Sequence, residues 1–305
     1  MTSPPVGRPR RLVYLGTPAM AVAPLRALHA SGFDIALVVS RADAKRGRGG
    51  ALAPSPVKAA ALELGLPVTD QIDDLLTLDL DPTRDLGVVV AYGRIIRPPV
   101  LDAVAMVNLH FSLLPRWRGA APVERALLAG DERTGVCLMA VEEGLDTGGI
   151  YARTEVSIGP DETAEALRAE LVEAGTALLV EHLTSGLGPA VPQVGEPVYA
   201  EKLSPEDHHL DWLESALQVH RRVRVGDAWT TFRGRRLKVW ESSLVTEAVD
   251  GGVELLAPGE LVATRVGTGQ GALELVEVQP EGKGRQPAAA WVNGARPQPG
   301  ERLGS

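Results

Sequence analysis

At 305 residues the chain has room for two domains. Its composition, 45% hydrophobic and 23% charged without an apolar run near the ~18 residues a spanning helix needs, excludes an integral membrane protein, a coiled coil and wholesale disorder. A formal charge of −8, from 39 acidic and 31 basic residues, argues against a protein coated in nucleic acid. The lone Cys137, six histidines without Cys-x-x-Cys or His-Glu-x-x-His spacing, and an N-terminus (MTSPPVGRPRR) without an apolar core predict a cytoplasmic protein with no disulfide, secretory signal or metal.

Residues 11–15 form a β-type run ending at Gly16, residues 20–31 carry helical spacing that stops at Gly32, and residues 33–39 are a second run rich in Val and Ile. A Gly/Arg-rich loop reaches Pro54. Ser55 before Pro56 then reads as an N-cap with proline in the first turn of a helix over 57–64. Residues 86–91 (LGVVVA) are the unbroken apolar run of a strand buried on both faces, and 107–110 is another short strand. This alternation predicts an α/β, Rossmann-like domain with a parallel sheet, whose ligands bind at the carboxyl ends of the strands. After β-type runs at 135–142 and 150–158, residues 163–185 show a helical stripe of Ala164, Leu167, Leu171, Ala174 and Leu178, with Asp161 as the expected cap. Pro189, Pro192, Pro197 and Pro205 mark a linker. Beyond it the runs 229–232, 237–245, 260–266 and 271–278 predict a small OB-type β-barrel. The expected division is 1–188, a linker over 189–208, and 209–305.

Charge is unevenly spread. Arg221, Arg222, Arg224, Arg233, Arg235, Arg236 and Lys238 face only Asp227 between them, a net +6, and Arg41, Lys45, Arg46 and Arg48 face only Asp43. Such segments can hold a phosphate backbone at defined places. On charge alone, solvated surface faces account for them equally well.

Asn108-Leu109-His110 places two polar side chains on one face of a strand at its end. A carboxamide NH₂ beside an imidazole N–H makes a pair of donors suited to a developing oxyanion in acyl transfer. Asp146, in the turn GLDTGG, can orient such a histidine or accept a proton from an attacking amine. The loop SLLPRWRG over 112–119 puts Arg116, Trp117 and Arg118 at the predicted ligand edge.

With NLH before it and GLDTG after it, SLLPRWRGAAPVERALLAGD strongly resembles the methionyl-tRNA formyltransferase family, and the likeness runs nearly end to end through LVYLGTP, PSPVK, VVVAYG, YAEKLS, RRLKVW and QPEGKGR. Asn-x-His with a distal Asp-Thr-Gly is common to folate-dependent formyltransferases, whereas PRWRGAAP and the C-terminal segments mark this branch. The resemblance implies formyl transfer from 10-formyltetrahydrofolate to the amino group of methionyl-initiator tRNA. It implies that Asn108 and His110 stabilise the oxyanion, and that Asp146 positions His110 and assists proton removal. Folate would lie along Tyr92, Gly93, Ser112, Leu113, Leu114 and Pro115, mainly against backbone groups. Arg41, Arg46 and Arg48 would enter the acceptor end of the tRNA, and Arg221, Arg222, Arg235, Arg236 and Lys238 would meet its backbone. A monomer is the default, with no membrane partner.

The sequence departs from the family at Phe111, where a small residue is usual, and in the loop ADAKRGRGGAL, which is less basic at its end. It also has VRVGDAWTTFRG where many relatives carry Pro-Trp-Pro. A formyltransferase acting on glycinamide ribonucleotide or an amino sugar nucleotide would share the catalytic trio but needs no arginine-rich barrel. A dinucleotide oxidoreductase would need Gly-x-Gly-x-x-Gly where the chain has Gly16-Thr17-Pro18-Ala19-Met20-Ala21. A non-catalytic RNA-binding protein would have no use for the intact trio.

Overall fold

Apolar alternation and glycine stops set the first elements of the computed structural model, which describes residues 3–46, 50–245 and 256–304. β1 (Arg11–Gly16), α1 (Val22–Ala30) and β2 (Asp34–Val39) follow the predicted order. The Gly/Arg-rich loop carries a small antiparallel pair, β3 (Ala44–Arg46) and β4 (Ala51–Ala53). Arg48 lies outside the described residues. α2 (Pro56–Glu63) starts as expected, with the Ser55 hydroxyl accepting from the Lys58 N–H at 3.0 Å and so satisfying one of the helix's orphan donors. Then come β5 (Val68–Thr69), β6 (Asp85–Val90), α3 (Pro98–Ala103), β7 (Met106–His110), β8 (Arg116–Gly119), α4 (Pro122–Ala129), β9 (Arg133–Ala140), β10 (Ile150–Ser157), α5 (Ala164–Ser185) and β11 (Val198–Ala200).

The main sheet has the strand order β10-β9-β7-β6-β1-β2-β5. From β7 to β5 all neighbours are parallel. The parallel sheet expected from the sequence is extended at one edge by an antiparallel pair, where β9 runs antiparallel to β7, and β10 to β9. Only residues 141–149 separate β9 from β10, too few for the crossover a parallel pair requires. β6 is buried at every position, which is why its sequence reads as an apolar run without alternation. Val13, Leu15, Val89, Tyr92, Val100 and Met106 pack together in one core cluster.

α5 begins after Thr163, whose hydroxyl accepts from the Ala166 N–H at 3.2 Å. Asp161 is therefore not the cap. The helix buries Leu167, Leu171, Leu179 and Leu183 completely. Between them, a Cβ on Gly175 would stand 2.7 Å from Leu109 Cδ2 and 3.0 Å from Val136 Cγ1, so this glycine permits α5 to lie directly against β7 and β9.

The described residues gather into two compact units, one from Met1–Val123, Arg133–Ser157 and Arg168–Glu201, the other from Glu124–Glu132, Ile158–Leu167 and Lys202–Ser305. In the second unit stand α6 (Ala216–Val225), β12 (Trp229–Phe232), β13 (Arg235–Leu244), β14 (Leu261–Val262), β15 (Arg265–Gly267), β16 (Ala272–Pro280), β17 (Gln286–Pro287) and α7 (Ala288–Ala295). Its strands form a curled antiparallel half-barrel in the order β12-β13-β16-β15-β14, with β17 on β16. The apolar faces of α6, β13 and β16 close on a core of Val219, Val223, Leu237, Val239, Leu273, Leu275 and Trp291. His220, on the buried side of α6, has its Nδ1 3.0 Å from Ser242 Oγ and its Nε2 3.1 Å from the Asp161 carboxylate that the sequence suggested as a cap. Burial, reinforced by Arg224, holds the His220 imidazole below its usual pKa.

Candidate active site

β7 places the first two site residues. Alternation along the strand puts Asn108 and His110 on one face near its carboxyl end, with Leu109 turned toward Gly175 of α5. Among the described residues the Asn108 carboxamide has no hydrogen-bond partner. The His110 ring is nearly enclosed, and both of its nitrogens face oxygen acceptors. Nε2 lies 2.9 Å from the Trp117 carbonyl, and Nδ1 lies 3.6 Å from Asp146 Oδ2. The second distance is just longer than a hydrogen bond.

The chain after β7 forms a wall beside His110. Ser112 is buried and its hydroxyl donates to the Arg116 carbonyl at 2.6 Å. Trp117 takes a positive φ of 67°, and the Arg116 guanidinium lies 4.4 Å from the centroid of its ring. β8 then pairs in parallel with β11, so part of the segment expected as a linker is built into this wall. At its end the Gly119 N–H donates to Asp146 Oδ2 at 2.8 Å. Asp146 itself has φ 51°, in the left-handed region that an L side chain seldom adopts.

Sequence reasoning missed three parts of this arrangement. Two are backbone groups, the Trp117 carbonyl and the Gly119 N–H, for which side-chain identity carries no signal. The third is Gln193, whose Nε2 donates to the carbonyls of Asp146 and Gly148, each at 2.8 Å. Its Oε1 accepts from Arg118 Nη2 at 2.7 Å and Nε at 3.1 Å.

The residues expected to meet folate divide by what their side chains are doing. The Tyr92 ring is in the core, its hydroxyl has no partner among the described residues, and burial raises its pKa. Leu114 packs with Cys137 and Met139. Leu113 and Pro115 are half-buried. Ala91 and Gly93 both take positive φ just past the end of β6, where the backbone leaves the sheet ladder. Cys137, opposite His110 in the sheet register, has its thiol pushed up to about 11 by burial and is a packing residue rather than a nucleophile. Among the described residues no cluster of His, Cys, Asp and Glu could hold a metal ion.

The basic residues are less alike than their sequence suggests. Arg41 is exposed, and its Nη2 lies 3.6 Å from where a Cβ on Gly93 would stand, so it belongs beside the end of β6. Arg46 stands at the end of β3. On α6, Arg222 is held bidentately by Glu214 at 2.7 and 3.0 Å, Arg224 is buried on the carbonyls of Gly159 and Glu162, and Arg221 donates to Gln218 and to the Ala129 carbonyl. Arg233 is paired with Glu301. The outward face of β13 differs, because its cations are stacked on indoles. Arg236 lies 4.3 Å from the Trp229 ring centroid and Lys238 5.0 Å from that of Trp240, with Arg285 on Trp240 at 3.4 Å. Lys238 also pairs with Asp227 at 2.5 Å, and Arg235 with Glu281 at 3.7 Å.

Residues 10–183 match the Formyl transferase family model, and residues 202–296 match the model for the formyl transferase C-terminal domain. The chain is 44% identical to the methionyl-tRNA formyltransferase of Streptomyces coelicolor, covering 96% of this chain and 99% of that protein. It is 41% identical to the one from Symbiobacterium thermophilum, covering 96% and 95%. Among solved structures, HypX from Aquifex aeolicus in complex with tetrahydrofolic acid shares the fold at a TM-score of 0.62 and 17% identity, over 92% of this chain and 46% of that one.

Proposed function

This chain belongs to the methionyl-tRNA formyltransferase family, and from that premise we propose that it transfers the formyl group of 10-formyltetrahydrofolate to the amino group of methionyl-initiator tRNA. The observation that carries the reading is likeness to methionyl-tRNA formyltransferases at 41% and 44% identity over 96% of the chain, through both of its units.

When bound, 10-formyltetrahydrofolate supplies an electrophilic formyl carbon. The residues present suit it, since Asn108 offers an unspent NH₂ beside the enclosed His110, and positive-φ backbone at Ala91 and Gly93 exposes main-chain groups for a pterin. Asn108 donates to the oxygen on which negative charge develops as the amine attacks. The proton on His110 Nε2 rests on the neutral Trp117 carbonyl until that more anionic acceptor competes for it. Asp146 faces Nδ1 from the other side, where it steadies the ring and receives the proton shed by the amine, directly or through water; the adduct then collapses as the C–N bond to folate breaks, and tetrahydrofolate leaves with a proton on its nitrogen. Ser112, Leu113, Leu114, Pro115, Tyr92 and Gly93 shape the folate wall through their backbones.

For tRNA, the reading assigns the acceptor end to Arg41, Arg46 and Arg48, the last outside the described residues. In the half-barrel, Arg236 and Lys238 on the open face of β13, with Arg235 at the start of that strand, carry the backbone contact. Arg221 and Arg222 contribute less, because their guanidinium groups already serve α6. The reading also carries a cytoplasmic monomer, which cell fractionation and sedimentation test.

The functional test offers 10-formyltetrahydrofolate with methionine-charged initiator tRNA, with charged elongator tRNA, and with glycinamide ribonucleotide. Formylation of the initiator alone is expected. Transfer only to the small amine would keep the catalytic trio and overturn the tRNA substrate.

A further inference from the structure

We propose that Gln193 is a positioning residue of the catalytic centre, setting the Asp146 turn and thereby the contact of Asp146 with His110. The inference rests on the reading that Asp146 works with His110. Gln193 comes from outside the motifs that define the site, in a segment whose prolines read as a linker. An isolated antiparallel bridge delivers it there. The Ile150 and Val191 N–H groups each donate to the other's carbonyl at 2.8 Å, which pins the chain beside the start of β10 two residues before Gln193.

The orientation of the Gln193 amide follows from its partners. Arg118 can only donate and the two carbonyls can only accept, so Oε1 must face Arg118 and Nε2 must face Asp146 and Gly148. Two donated and two accepted bonds satisfy the side chain completely, which fixes a single rotamer. Asp146 is thus anchored at both ends, its carboxylate by the Gly119 N–H and its carbonyl by Gln193. Anchoring matters because a left-handed φ of 51° at a residue with a Cβ relaxes unless its surroundings hold it.

The same side chain joins the two walls that meet His110. Arg118 directly follows Trp117, whose carbonyl holds Nε2, while Asp146 faces Nδ1. Gln193 bonds both segments at once. It therefore fixes the separation of the two acceptors between which the imidazole sits, without touching substrate.

The test measures steady-state formylation of methionyl-initiator tRNA by Gln193→Met and Gln193→Glu, each in the wild-type and the Asp146→Asn backgrounds. Methionine keeps the length and makes none of the four bonds. Glutamate keeps the Arg118 pair, removes both donors, and remains the informative variant if the methionine protein melts too low to assay. In the wild-type background each should lower kcat roughly 10–100-fold, the scale of a small misplacement of catalytic groups, with KM for both substrates within about 3-fold. The acid limb of the kcat profile against pH should move as well, which a purely structural defect would not cause. In Asp146→Asn the same substitutions should change kcat by less than about 2-fold, because the group they position is gone. Wild-type kcat in Gln193→Glu, or an equal loss in both backgrounds, would overturn the proposal. Wild-type turnover in Asp146→Asn alone would instead overturn the assignment of Asp146 on which it rests.

Discussion

Gly119→Ala is a demanding perturbation of this site because it acts on fold and chemistry through one atom. Gly119 has φ 120°, and a Cβ there would lie 2.8 Å from the Ala200 carbonyl oxygen, a backbone atom that cannot swing aside. Holding an alanine in that region costs about 1–3 kcal/mol. Relieving the overlap by parting β8 from β11 costs roughly another 1–3 kcal/mol. The total of about 2–6 kcal/mol corresponds to a melting point lowered by roughly 4–24 °C for a unit of this size. Any shift of β8 also draws the Gly119 N–H off Asp146 Oδ2, a bond to a charged acceptor worth about 1.5–3 kcal/mol, so kcat should fall about 10-fold or more even below the new melting point. Circular dichroism melting and single-turnover formylation at low temperature measure the two effects separately. Gly188→Ala, where nothing lies within 4 Å, should change neither and serves as the control. A Gly119→Ala protein that melted within about 2 °C of wild type and kept its rate would refute both the steric argument and the role of this N–H.

His110→Ala should lower turnover by roughly 10²–10³ with affinity for methionyl-tRNA nearly unchanged, and a loss of only a few-fold would remove His110 from the reaction. Gly175→Ala gains about 1 kcal/mol of helix propensity but overpacks Leu109 and Val136, so urea unfolding should show no net stabilisation and kcat should drop as β7 is pushed. A clear gain in stability would mean that α5 does not lie as close to β7 as described. Arg236→Ala should reduce the slope of log tRNA affinity against log salt by about 1, whereas Arg222→Ala, which breaks the Glu214 pair, should lower stability with little change in slope. Acid stability should report Asp85, buried at the start of β6. Burial there raises its pKa, but bonds from Arg11, Arg10 and the Asp81 N–H outweigh that and lower it to about 2. A depressed carboxylate stabilises the fold above its unfolded pKa and ceases to as pH falls from about 4 through 2, a loss of roughly 1–2 kcal/mol once solvent around the partly exposed arginines is allowed for. Asp85→Asn should flatten denaturant midpoints across that window, and an unchanged slope would contradict the pairing.

Much of the first unit could be read from the sequence because its signals are local and redundant. The apolar run at β6, the Ser55-Pro56 cap and the glycine after α1 each report a backbone requirement at the residue itself. Asn108 and His110 were legible for the same reason, since two residues apart on a strand already means one face. What failed was information carried by distant partners. Asp161 has the residue type and spacing of an N-cap, yet it serves His220 at a separation of 59 residues, and Thr163 caps α5 instead. The basic segment reads as one patch, but its arginines go to Glu214, to buried carbonyls and to Glu301, leaving the stacked cations on β13 as the face open to a ligand. Charge counted along a chain cannot tell a cation turned inward from one turned outward, because the answer lies in which acceptors the fold brings to it.

The same distinction explains why the catalytic trio is legible while its support is not. In the proposed reaction Asn108, His110 and Asp146 act through side chains, so chemistry restricts their identities and the sequence displays the restriction. The groups holding them act through the Trp117 carbonyl, the Gly119 N–H and the left-handed backbone of Asp146, and all but the last are available from almost any residue. Their demand surfaces in sequence only as glycine at 119, where close approach to Ala200 forbids a Cβ, and as one glutamine whose four bonds no other side chain of that length reproduces. A search for further site residues in this fold is therefore best directed at side chains that bind loop backbone on two segments at once, since those set the catalytic distances without touching substrate.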